Sequence, residues 1–333
     1  MPEIKSRDSS GKTERQERDR VIIGIDLGGT NFRIGAVTVD NQLMNPKVVQ
    51  TSIVANAFRP LEKVCEIIQE YIQENKLQDL EAVSIGVPSS VENDKETVIC
   101  TTNIRDRSGK VVFEHVNIAK EIREYFQIPV YVNNDVKNIM VYDIAANHLE
   151  KDKVVVGIYI GTGVGAAVTV NGEFLEGKNG AQLDLGHIPY FRGDIPCSCG
   201  KTGCCECYVS GWRLQQIRQK YYPGTRIEDM FLRHRDEKPL REFIDACANV
   251  YALMATIFNP NTIIAGGGVL EMAGFPRREF EREVGKNTGR DVMSYGFDYV
   301  YSKGFVGKGI IGAALYARGR LDSRVEAPVN GKR

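Results

Sequence analysis

The sequence predicts an α/β fold made of two lobes of related design. Short apolar segments typical of strands alternate along the 333 residues with segments whose apolar positions recur at helical spacing. Two strand segments, beginning at Val21 and Val154, run into a glycine turn and continue as a second strand. The length also allows about two domains, at roughly 100–200 residues each.

Composition and charge are those of an ordinary globular protein. Hydrophobic residues make up 42% of the chain and charged residues 26%, and 43 basic residues balance 43 acidic ones. This balance argues against nucleic acid or an anionic membrane as a partner, and no segment approaches the ~18 consecutive apolar residues of a membrane span. The N-terminal segment lacks the apolar run of a secretory signal. We therefore expect a cytoplasmic protein.

The first part of the chain is predicted to alternate strands and helices after a charged, flexible tail over residues 1–20. The apolar run VIIGID ends at Leu27-Gly28-Gly29-Thr30, and a strand pattern resumes at Phe32. Spacing of the apolar residues predicts the further elements, which are a helix from Pro60, strands over 80–87 and 128–133, and helices over 116–126 and 136–149.

The same pattern returns from Val154. The segment VVVGIYIGTGVGAAVTV predicts strand, glycine turn and strand, and Asn171-Gly172 predicts a tight hairpin turn. The later elements are helices over 211–222 and 239–258, a strand over 262–265, and a last helix within GKGIIGAALYARGRL with small residues on one face. We assign residues 21–149 and 308–333 to an N-terminal lobe and residues 150–307 to a C-terminal lobe.

Three glycine-rich strand ends together favour nucleotide binding, although each alone could be a simple tight turn. Because Gly28 and Gly29 lack a Cβ atom, their backbone N–H groups can approach phosphate oxygens, and Thr30 adds a hydroxyl donor. Asp26, at the end of the first strand, could hold a magnesium ion. The other two strand ends are Gly161-Thr162-Gly163, followed by a strand rather than the helix of a dinucleotide site, and Gly266-Gly267-Gly268.

A carboxylate closes another predicted strand. Asn133-Asn134-Asp135 follows PVYV and precedes a helix, and ligands of open α/β sheets bind at the carboxyl ends of strands. Asp135 could accept the proton of a substrate hydroxyl that attacks a phosphoryl group. The alternative interpretation is that Asp135 only caps the helix that follows.

The cysteines are unevenly distributed, since five of the eight fall between positions 197 and 207. In a reducing compartment such a cluster more often binds metal than forms disulfides. His187, Cys197, Cys199 and Cys204 have the spacing H-x9-C-x-C-x4-C and would close a tetrahedral, structural zinc site. Unligated cysteines are the alternative, and Cys205 and Cys207 have no assigned role.

In this order the motifs resemble those of the ROK family, which comprises sugar kinases and related repressors. The resemblance extends over about residues 21–320 and implies the two-lobed, ribonuclease H-like ATPase fold of actin and hexokinase. The matching segments are Asp26–Thr30, Asn134-Asp135, Gly161–Gly163, Asp184–His187, Cys197–Glu206 and Gly266–Gly268.

The resemblance implies ATP-dependent phosphorylation of a hexose at its 6-hydroxyl, with Mg²⁺ beside ATP, a structural Zn²⁺ and a homodimer. Asp135 is implied as the base, and His187 would bind both the sugar and the zinc. The implied sugar contacts are Asn103, Asn134, Asp184, His187 and Glu206. The implied ATP contacts are Asp26, Gly28, Gly29, Thr30, Gly161, Thr162, Gly163, Gly266, Gly267 and Gly268.

Looser matches favour one sugar. The segments PSSVENDKETVICTTNI, DLGHIPYF and FNPNTIIAGGGVLEMAGFPRREF are most similar to the family members that phosphorylate D-allose. D-allose is therefore the expected substrate, and glucose or another hexose or N-acetylhexosamine is the alternative.

The chain departs from the family pattern in three places. Gln182-Leu183-Asp184 stands where Ala-Gly-Glu is usual, Ser89 where glycine is usual, and Lys137 where asparagine is usual. The first departure shortens a carboxylate and replaces a glycine expected to leave room near the sugar. A sugar-binding protein without kinase activity is therefore a further alternative. A repressor is disfavoured because the 20 polar residues before Val21 are too few for a helix-turn-helix domain.

Overall fold

The computed structural model describes residues 20–189 and 193–326. These residues divide into two compact units. The first unit takes the chain up to Tyr142, the short segment Lys178–Ala181 and the chain from Val306 onward, and the second takes Asp143–Gly177 and Gln182–Phe305. The tail predicted over residues 1–20 lies outside the described residues except for Arg20, as do residues 327–333.

Strands and helices alternate along the chain, so the α/β class is confirmed. The strands are β1 (Val21–Leu27), β2 (Asn31–Thr38), β3 (Leu43–Gln50), β4 (Leu80–Val87), β5 (Thr97–Cys100), β6 (Glu114–Asn117), β7 (Val130–Asn134), β8 (Val154–Ile160), β9 (Val164–Val170), β10 (Glu173–Phe174), β11 (Thr262–Gly266) and β12 (Asp298–Tyr301). The helices are α1 (Thr51–Ala55), α2 (Pro60–Glu74), α3 (Ile118–Phe126), α4 (Asp135–Ala146), α5 (Glu206–Val209), α6 (Gly211–Tyr221), α7 (Met230–His234), α8 (Lys238–Phe258), α9 (Arg277–Asn287), α10 (Arg290–Tyr295) and α11 (Lys308–Glu326).

The first unit is built on a five-stranded sheet of order β3-β2-β1-β4-β7, and β5 and β6 form a separate pair. β1 pairs antiparallel with β2 and parallel with β4, and β4 pairs parallel with β7. The carboxyl ends of β1, β4 and β7 therefore lie at one edge of the sheet. Burial of nearly the whole of β1 explains why its sequence reads as one apolar run.

Two helices show how the sequence packs against this sheet. α2 begins at Pro60, buries the apolar stripe predicted from its helical spacing, and uses the Tyr71 hydroxyl to accept from the Ala36 N–H at 2.8 Å and donate to the Met44 carbonyl at 2.9 Å. α11 packs on β1 and β4 with the predicted face of small residues. A Cβ atom on Gly312 would overlap the carbonyl of Asn138 on α4, so only glycine allows this approach.

The second unit is built on a sheet of order β10-β9-β8-β11-β12, in which β8 and β11 are parallel neighbours. α8 begins next to Pro239, buries one apolar face, and donates the Tyr251 hydroxyl to the Ile158 carbonyl at 2.9 Å. Asn171 and Gly172 both have positive φ angles, 52° and 80°, which confirms the predicted hairpin turn between β9 and β10.

Several element boundaries differ from the prediction for local reasons. The helix predicted from residue 116 begins at Ile118, because the Asn117 side chain accepts from the Lys120 N–H and caps it. The helix predicted over 136–149 spans Asp135–Ala146 instead. In the part of the chain that is described, no helix combines the length and apolar character needed to cross a bilayer.

Candidate active site

In the first unit, the turn between β1 and β2 leaves its backbone accessible. Gly28 donates its N–H to the Asn31 carbonyl at 2.9 Å, and the Thr51 hydroxyl donates to the Gly28 carbonyl at 2.7 Å. Gly29 and Thr30 are exposed. Asn103 lies directly beside the turn, since a Cβ atom on Gly29 would stand 3.1 Å from its carbonyl oxygen. Gly29 and Thr30 therefore leave their part of the turn open to a phosphate group, whereas the Gly28 N–H, which the sequence predicted to approach phosphate, is taken by the Asn31 carbonyl.

A cation that the sequence did not single out lies at this turn. Arg33 on β2 pairs in register with Asp26 on β1, and its Nη1 donates to Asp26 Oδ2 at 2.9 Å. The same nitrogen lies 3.8 Å from where a Cβ atom on Gly28 would be. Burial raises the pKa of Asp26, and the Arg33 guanidinium opposes that rise. The sequence predicts Asp26 near a magnesium ion, and one of its two carboxylate oxygens is thus held in an ion pair with Arg33.

Asp135 is the first residue of α4, directly after β7. Its Oδ1 accepts the Val136 N–H at 2.8 Å. Burial, and then repulsion from Asp26, raise the pKa of this carboxyl to about 7. A carboxyl with this pKa is well matched to proton transfer near neutral pH.

The side-chain hydrogen bond that caps α4 comes from Asn134. Asn134 Oδ1 accepts the Lys137 N–H at 3.2 Å, which is the usual hydrogen bond of a helix cap. The Asn134 amide also donates to the Ser89 carbonyl at 3.2 Å. Asn134 thus supplies a capping hydrogen bond at the start of α4, and the role of Asp135 stays a prediction.

In the second unit, two glycine turns meet at the carboxyl ends of the parallel neighbours β8 and β11. Gly161 and Thr162 follow β8, and their carbonyls accept the N–H groups of Gly211 at 2.7 Å and Trp212 at 3.2 Å. Gly267 follows β11 with a φ of +92°, and a Cβ atom there would overlap the Ile160 carbonyl. The segments Gly161–Gly163 and Gly266–Gly268 therefore lie side by side at one edge of this sheet.

Glu206 lies between the first of these turns and His187. A Cβ atom on Gly163 would stand 2.9 Å from Glu206 Oε2. The other oxygen, Oε1, lies 3.7 Å from His187 Nδ1. Glu206 and His187 are therefore neighbours within the second unit.

The departure at positions 182–184 has a defined conformation. Leu183 has a φ of 58°, a left-handed angle that glycine adopts more easily, and its side chain packs against the apolar core of the second unit. The Gln182 side chain accepts the Gly177 N–H at 2.9 Å. Asp184 is exposed. The leucine is thus accommodated by packing on the core.

His187, Cys197, Cys199 and Cys204 bring their ligand atoms within 4.8 Å of one another. Cys197 Sγ lies 3.5 Å from His187 Nδ1, and the thiols of Cys199 and Cys204 lie 3.6 Å apart. Two sulfurs bound to one tetrahedral zinc at about 2.3 Å are roughly 3.8 Å apart. Between these cysteines the chain turns at Gly200 and Gly203, which have φ angles of 88° and 71°. The four side chains therefore fit a metal ion of this size and geometry.

The site residues are thus distributed over both units. The first unit brings together Asp26, Gly28, Gly29, Thr30, Arg33, Asn103, Asn134 and Asp135, and the second brings together Gly161–Gly163, His187, Glu206 and Gly266–Gly268. Arg33 is the functional candidate that sequence reasoning missed. The register of the β1–β2 hairpin, which pairs position 33 with Asp26, is the signal that could have revealed it.

Known proteins resemble the chain over most of its length. An N-acetyl-D-glucosamine kinase from Pectobacterium carotovorum subsp. carotovorum is 25% identical over 263 residues, which cover 74% of this chain and 83% of that protein. A glucokinase from Thermotoga maritima is 27% identical over 273 residues, which cover 74% and 82%. A ROK family glucokinase from Streptomyces griseus, solved with glucose and AMPPNP, shares the fold with a TM-score of 0.73 at 22% identity and covers 90% of this chain and 99% of its own.

A family model gives the assignment. The model of the ROK family matches residues 22–320, which include every candidate site residue named above. The chain therefore belongs to the ROK family.

Proposed function

We propose that the chain is an ATP-dependent kinase that transfers a phosphoryl group to the 6-hydroxyl of a hexose. The observation that carries this proposal is the Asp135 carboxyl, whose raised pKa of about 7 suits a general base. The phosphate-type turn at Gly28 and Gly29 belongs to the same unit. Family membership, with relatives named glucokinase and N-acetyl-D-glucosamine kinase, supports the same class of reaction.

In the proposed reaction, the 6-hydroxyl oxygen attacks the γ-phosphorus of ATP. The bond between that phosphorus and the bridging oxygen breaks, and its electron pair leaves with ADP. Asp135 accepts the hydroxyl proton, so its carboxylate must be ionised before each turnover. Because Asn134 fixes the first turn of α4 through Lys137 and Ser89, the base is held in place before the sugar binds.

The phosphate end is proposed to use backbone and side-chain donors. The N–H groups of Gly29 and Thr30 would bind phosphate oxygens, and Gly28, whose own N–H donates to the Asn31 carbonyl, would let the phosphate approach closely because it lacks a Cβ atom. The Arg33 guanidinium would stabilise the charge that develops during transfer. A magnesium ion bound with ATP would neutralise further phosphate charge, and Asp26 would contact it through its remaining oxygen. Asp26 would thus orient Arg33 as well.

The remaining roles follow from the same proposal. Gly161, Thr162 and Gly163 would bind ATP phosphates, and Gly266, Gly267 and Gly268 would lie against the adenosine. Sugar hydroxyls would be held by Asn103, Asn134, Asp184, His187 and Glu206.

We further propose that the four-residue cluster is a structural zinc site. Its support is the convergence of three thiols and one imidazole within 4.8 Å, a donor set that leaves no open position for a catalytic water. A bound zinc would supply cross-links within the segment from His187 to Cys204. Homodimer formation, which the family resemblance implies, stays a prediction that light scattering would check.

The proposed sugar is D-allose, because the segments around Ser89, His187 and Gly267 are similar to those of the family members that phosphorylate it. Allose and glucose differ only at C3, and the shortened carboxylate of Asp184 changes the reach of one candidate sugar contact. Glucose and N-acetyl-D-glucosamine are the alternatives that the named relatives favour.

One assay tests both the reaction and the sugar. ADP release is measured with allose, glucose, mannose, fructose and N-acetylated hexosamines, for the unaltered chain and for Asp135→Asn. We expect sugar-stimulated release, fastest with allose, and a loss of about 10²-fold or more in Asp135→Asn with sugar binding retained. Asp40→Asn, at an exposed carboxylate on the first unit, is the matched control. Sugar binding without stimulated ADP release would establish the non-catalytic alternative.

A further inference from the structure

A buried carboxyl group connects the two strands that flank β11. Asp143 on α4 is 1% exposed, and its Oδ2 accepts the Tyr159 hydroxyl at 2.9 Å and the Ser302 hydroxyl at 2.7 Å. Tyr159 lies on β8 and Ser302 directly follows β12, and both belong to the second unit together with Asp143. Because β11 lies between β8 and β12, one carboxyl oxygen binds side chains from either side of it.

Both hydrogen bonds are formed away from water. Tyr159 and Ser302 are buried, as Asp143 is. Burial, and after it the neighbouring Asp143 carboxyl, raise the pKa of Tyr159 well above its ordinary value, so the tyrosine keeps its proton and donates it. A buried hydroxyl that loses its partner costs about 1–3 kcal/mol, so these three side chains hold one another in place.

Tyr159 and Ser302 enclose the backbone of Gly266, the last residue of β11. A Cβ atom on Gly266 would stand 2.6 Å from Tyr159 Cδ1 and 2.8 Å from Ser302 Cβ. The tyrosine ring and the serine therefore lie directly against this glycine, one on each side. The strand register also pairs Gly266 with Tyr159, two residues before Gly161, so both glycine turns begin next to these contacts.

The turn after β11 has no side chains of its own to fix its conformation. Gly266, Gly267 and Gly268 are consecutive, and glycine has the greatest backbone freedom of all residues. Gly268 is exposed, with nothing within 4 Å of its Cβ position. Because ordering a flexible segment lowers the affinity of the ligand that binds it, a restraint at Gly266 favours binding.

We propose that Asp143 is a positioning residue for the nucleotide. It holds Tyr159 and Ser302 against Gly266 and so fixes the backbone that leads into both glycine turns before ATP binds. Its effect is indirect, since it acts through the two hydroxyls that its Oδ2 accepts. This inference rests on the proposed nucleotide site and adds to it a residue that lies behind the turns.

The test measures nucleotide and hexose binding separately in the full chain. Calorimetry gives the dissociation constants of the ATP analogue AMPPNP and of the hexose, and ADP release gives kcat and the KM for ATP. The variants are Asp143→Leu, Asp143→Asn and the double variant Tyr159→Phe with Ser302→Ala, which removes the same hydrogen bonds from the donor side. The matched control is Thr262→Val, because the Thr262 hydroxyl donates to Asp152 Oδ2 at 2.6 Å at the other end of β11.

We expect Asp143→Leu to raise the dissociation constant of AMPPNP and the KM for ATP by about tenfold, because its two hydroxyl partners are released. Asp143→Asn keeps an acceptor oxygen and should raise both constants by less than about threefold. The double variant should resemble Asp143→Leu, and combining the two should add little, since the hydrogen bonds are already lost. The hexose dissociation constant and kcat should stay within about twofold, as should every constant of Thr262→Val.

A purely structural role for Asp143 predicts a different result. Asp143→Leu would then lower the folded fraction and the apparent kcat but leave the KM for ATP unchanged, and this result would overturn the proposal. Equal increases in Asp143→Leu and Thr262→Val would also overturn it. If Asp143→Leu does not fold, the double variant decides in the same way.

The same measurements separate this inference from the proposed function. If the unaltered chain binds AMPPNP and both Asp143→Leu and the double variant bind it equally well, this inference alone is wrong. If the unaltered chain binds hexose but no AMPPNP, the proposed kinase activity and this inference are both wrong.

Discussion

At the scale of single residues, the ionisation of Asp135 sets how the proposed reaction depends on pH. The carboxylate must be ionised to accept a proton, and its pKa is raised to about 7. We therefore expect kcat/KM to rise about tenfold per pH unit below pH 7 and to level off above it. A profile that is flat from pH 5.5 to 8.5 contradicts the assignment.

The raised pKa of Asp135 suits catalysis but lowers the stability of the fold at neutral pH. An ordinary aspartate ionises near pH 3.9, so between about pH 4 and 7 the unfolded chain carries this charge more readily than the folded one. Ionised Asp135 thus destabilises the fold at neutral pH. The Asp135→Asn variant should be more stable than the unaltered chain at pH 8, by on the order of 1–3 kcal/mol, and urea denaturation at pH 5 and pH 8 measures this gain.

Arg33 is expected to act on catalysis rather than on sugar binding. Arg33→Met removes the guanidinium that Asp26 holds at the Gly28 turn, so kcat should fall by about 10²-fold. The dissociation constant of the hexose, measured by calorimetry without nucleotide, should stay unchanged. The control is Lys47→Met. It removes a cation from β3 of the same sheet, and that cation pairs with Glu74 at the end of α2. Equal activity of Arg33→Met and Lys47→Met would remove Arg33 from the proposed site.

At the scale of elements, neighbouring glycines in the turn after β11 should respond differently to a methyl group. Gly267 has a φ of +92° and a Cβ atom would overlap the Ile160 carbonyl, whereas a Cβ atom on Gly268 meets nothing within 4 Å. Gly267→Ala should therefore lower the free energy of unfolding by about 2–4 kcal/mol, and Gly268→Ala by less than about 1 kcal/mol. Denaturant unfolding of the two variants makes the comparison, and a similar loss in both would be inconsistent with this turn geometry.

Elements with a strong apolar period could be predicted from the sequence, and half-exposed edge elements could not. The buried strands β1, β4 and β8 and the helices α2 and α8 were located because the sheet or core covers their apolar residues. β3 was missed, since it is an edge strand with alternating exposure and contains Pro46, which weakens its strand pattern.

The candidate site was predictable where a residue type carries the chemistry by itself. Asp135, the glycine turns and the cysteine cluster were found from local spacing. Arg33 was missed because its proposed role depends on the pairing of two strands.

At the scale of the whole molecule, one tryptophan reports on one of the two units. Trp212 is the only tryptophan of the chain, lies in the second unit, and donates its backbone N–H to the Thr162 carbonyl of the candidate nucleotide turn. Tryptophan fluorescence should therefore follow the second unit alone, whereas far-ultraviolet circular dichroism follows both.

This difference gives a test of the metal site in the intact chain. The cysteine cluster belongs to the second unit, so a zinc-selective chelator, with Mg²⁺ kept in excess, should lower the unfolding midpoint seen by Trp212 fluorescence by several degrees. The expected reversal on adding Zn²⁺ is the control. A midpoint that the chelator leaves unchanged contradicts a structural role for the metal.

The place of α11 has a consequence for how the protein is made. This helix supplies the glycines that lie against β1 and α4, so the sheet that the ribosome releases early is covered by Lys308–Glu326, which follows Asn134 at the end of its last strand only after the whole second unit. All residues of the second unit emerge before that helix does. The second unit can therefore fold while the sheet that begins at Val21 still lacks the helix that covers it.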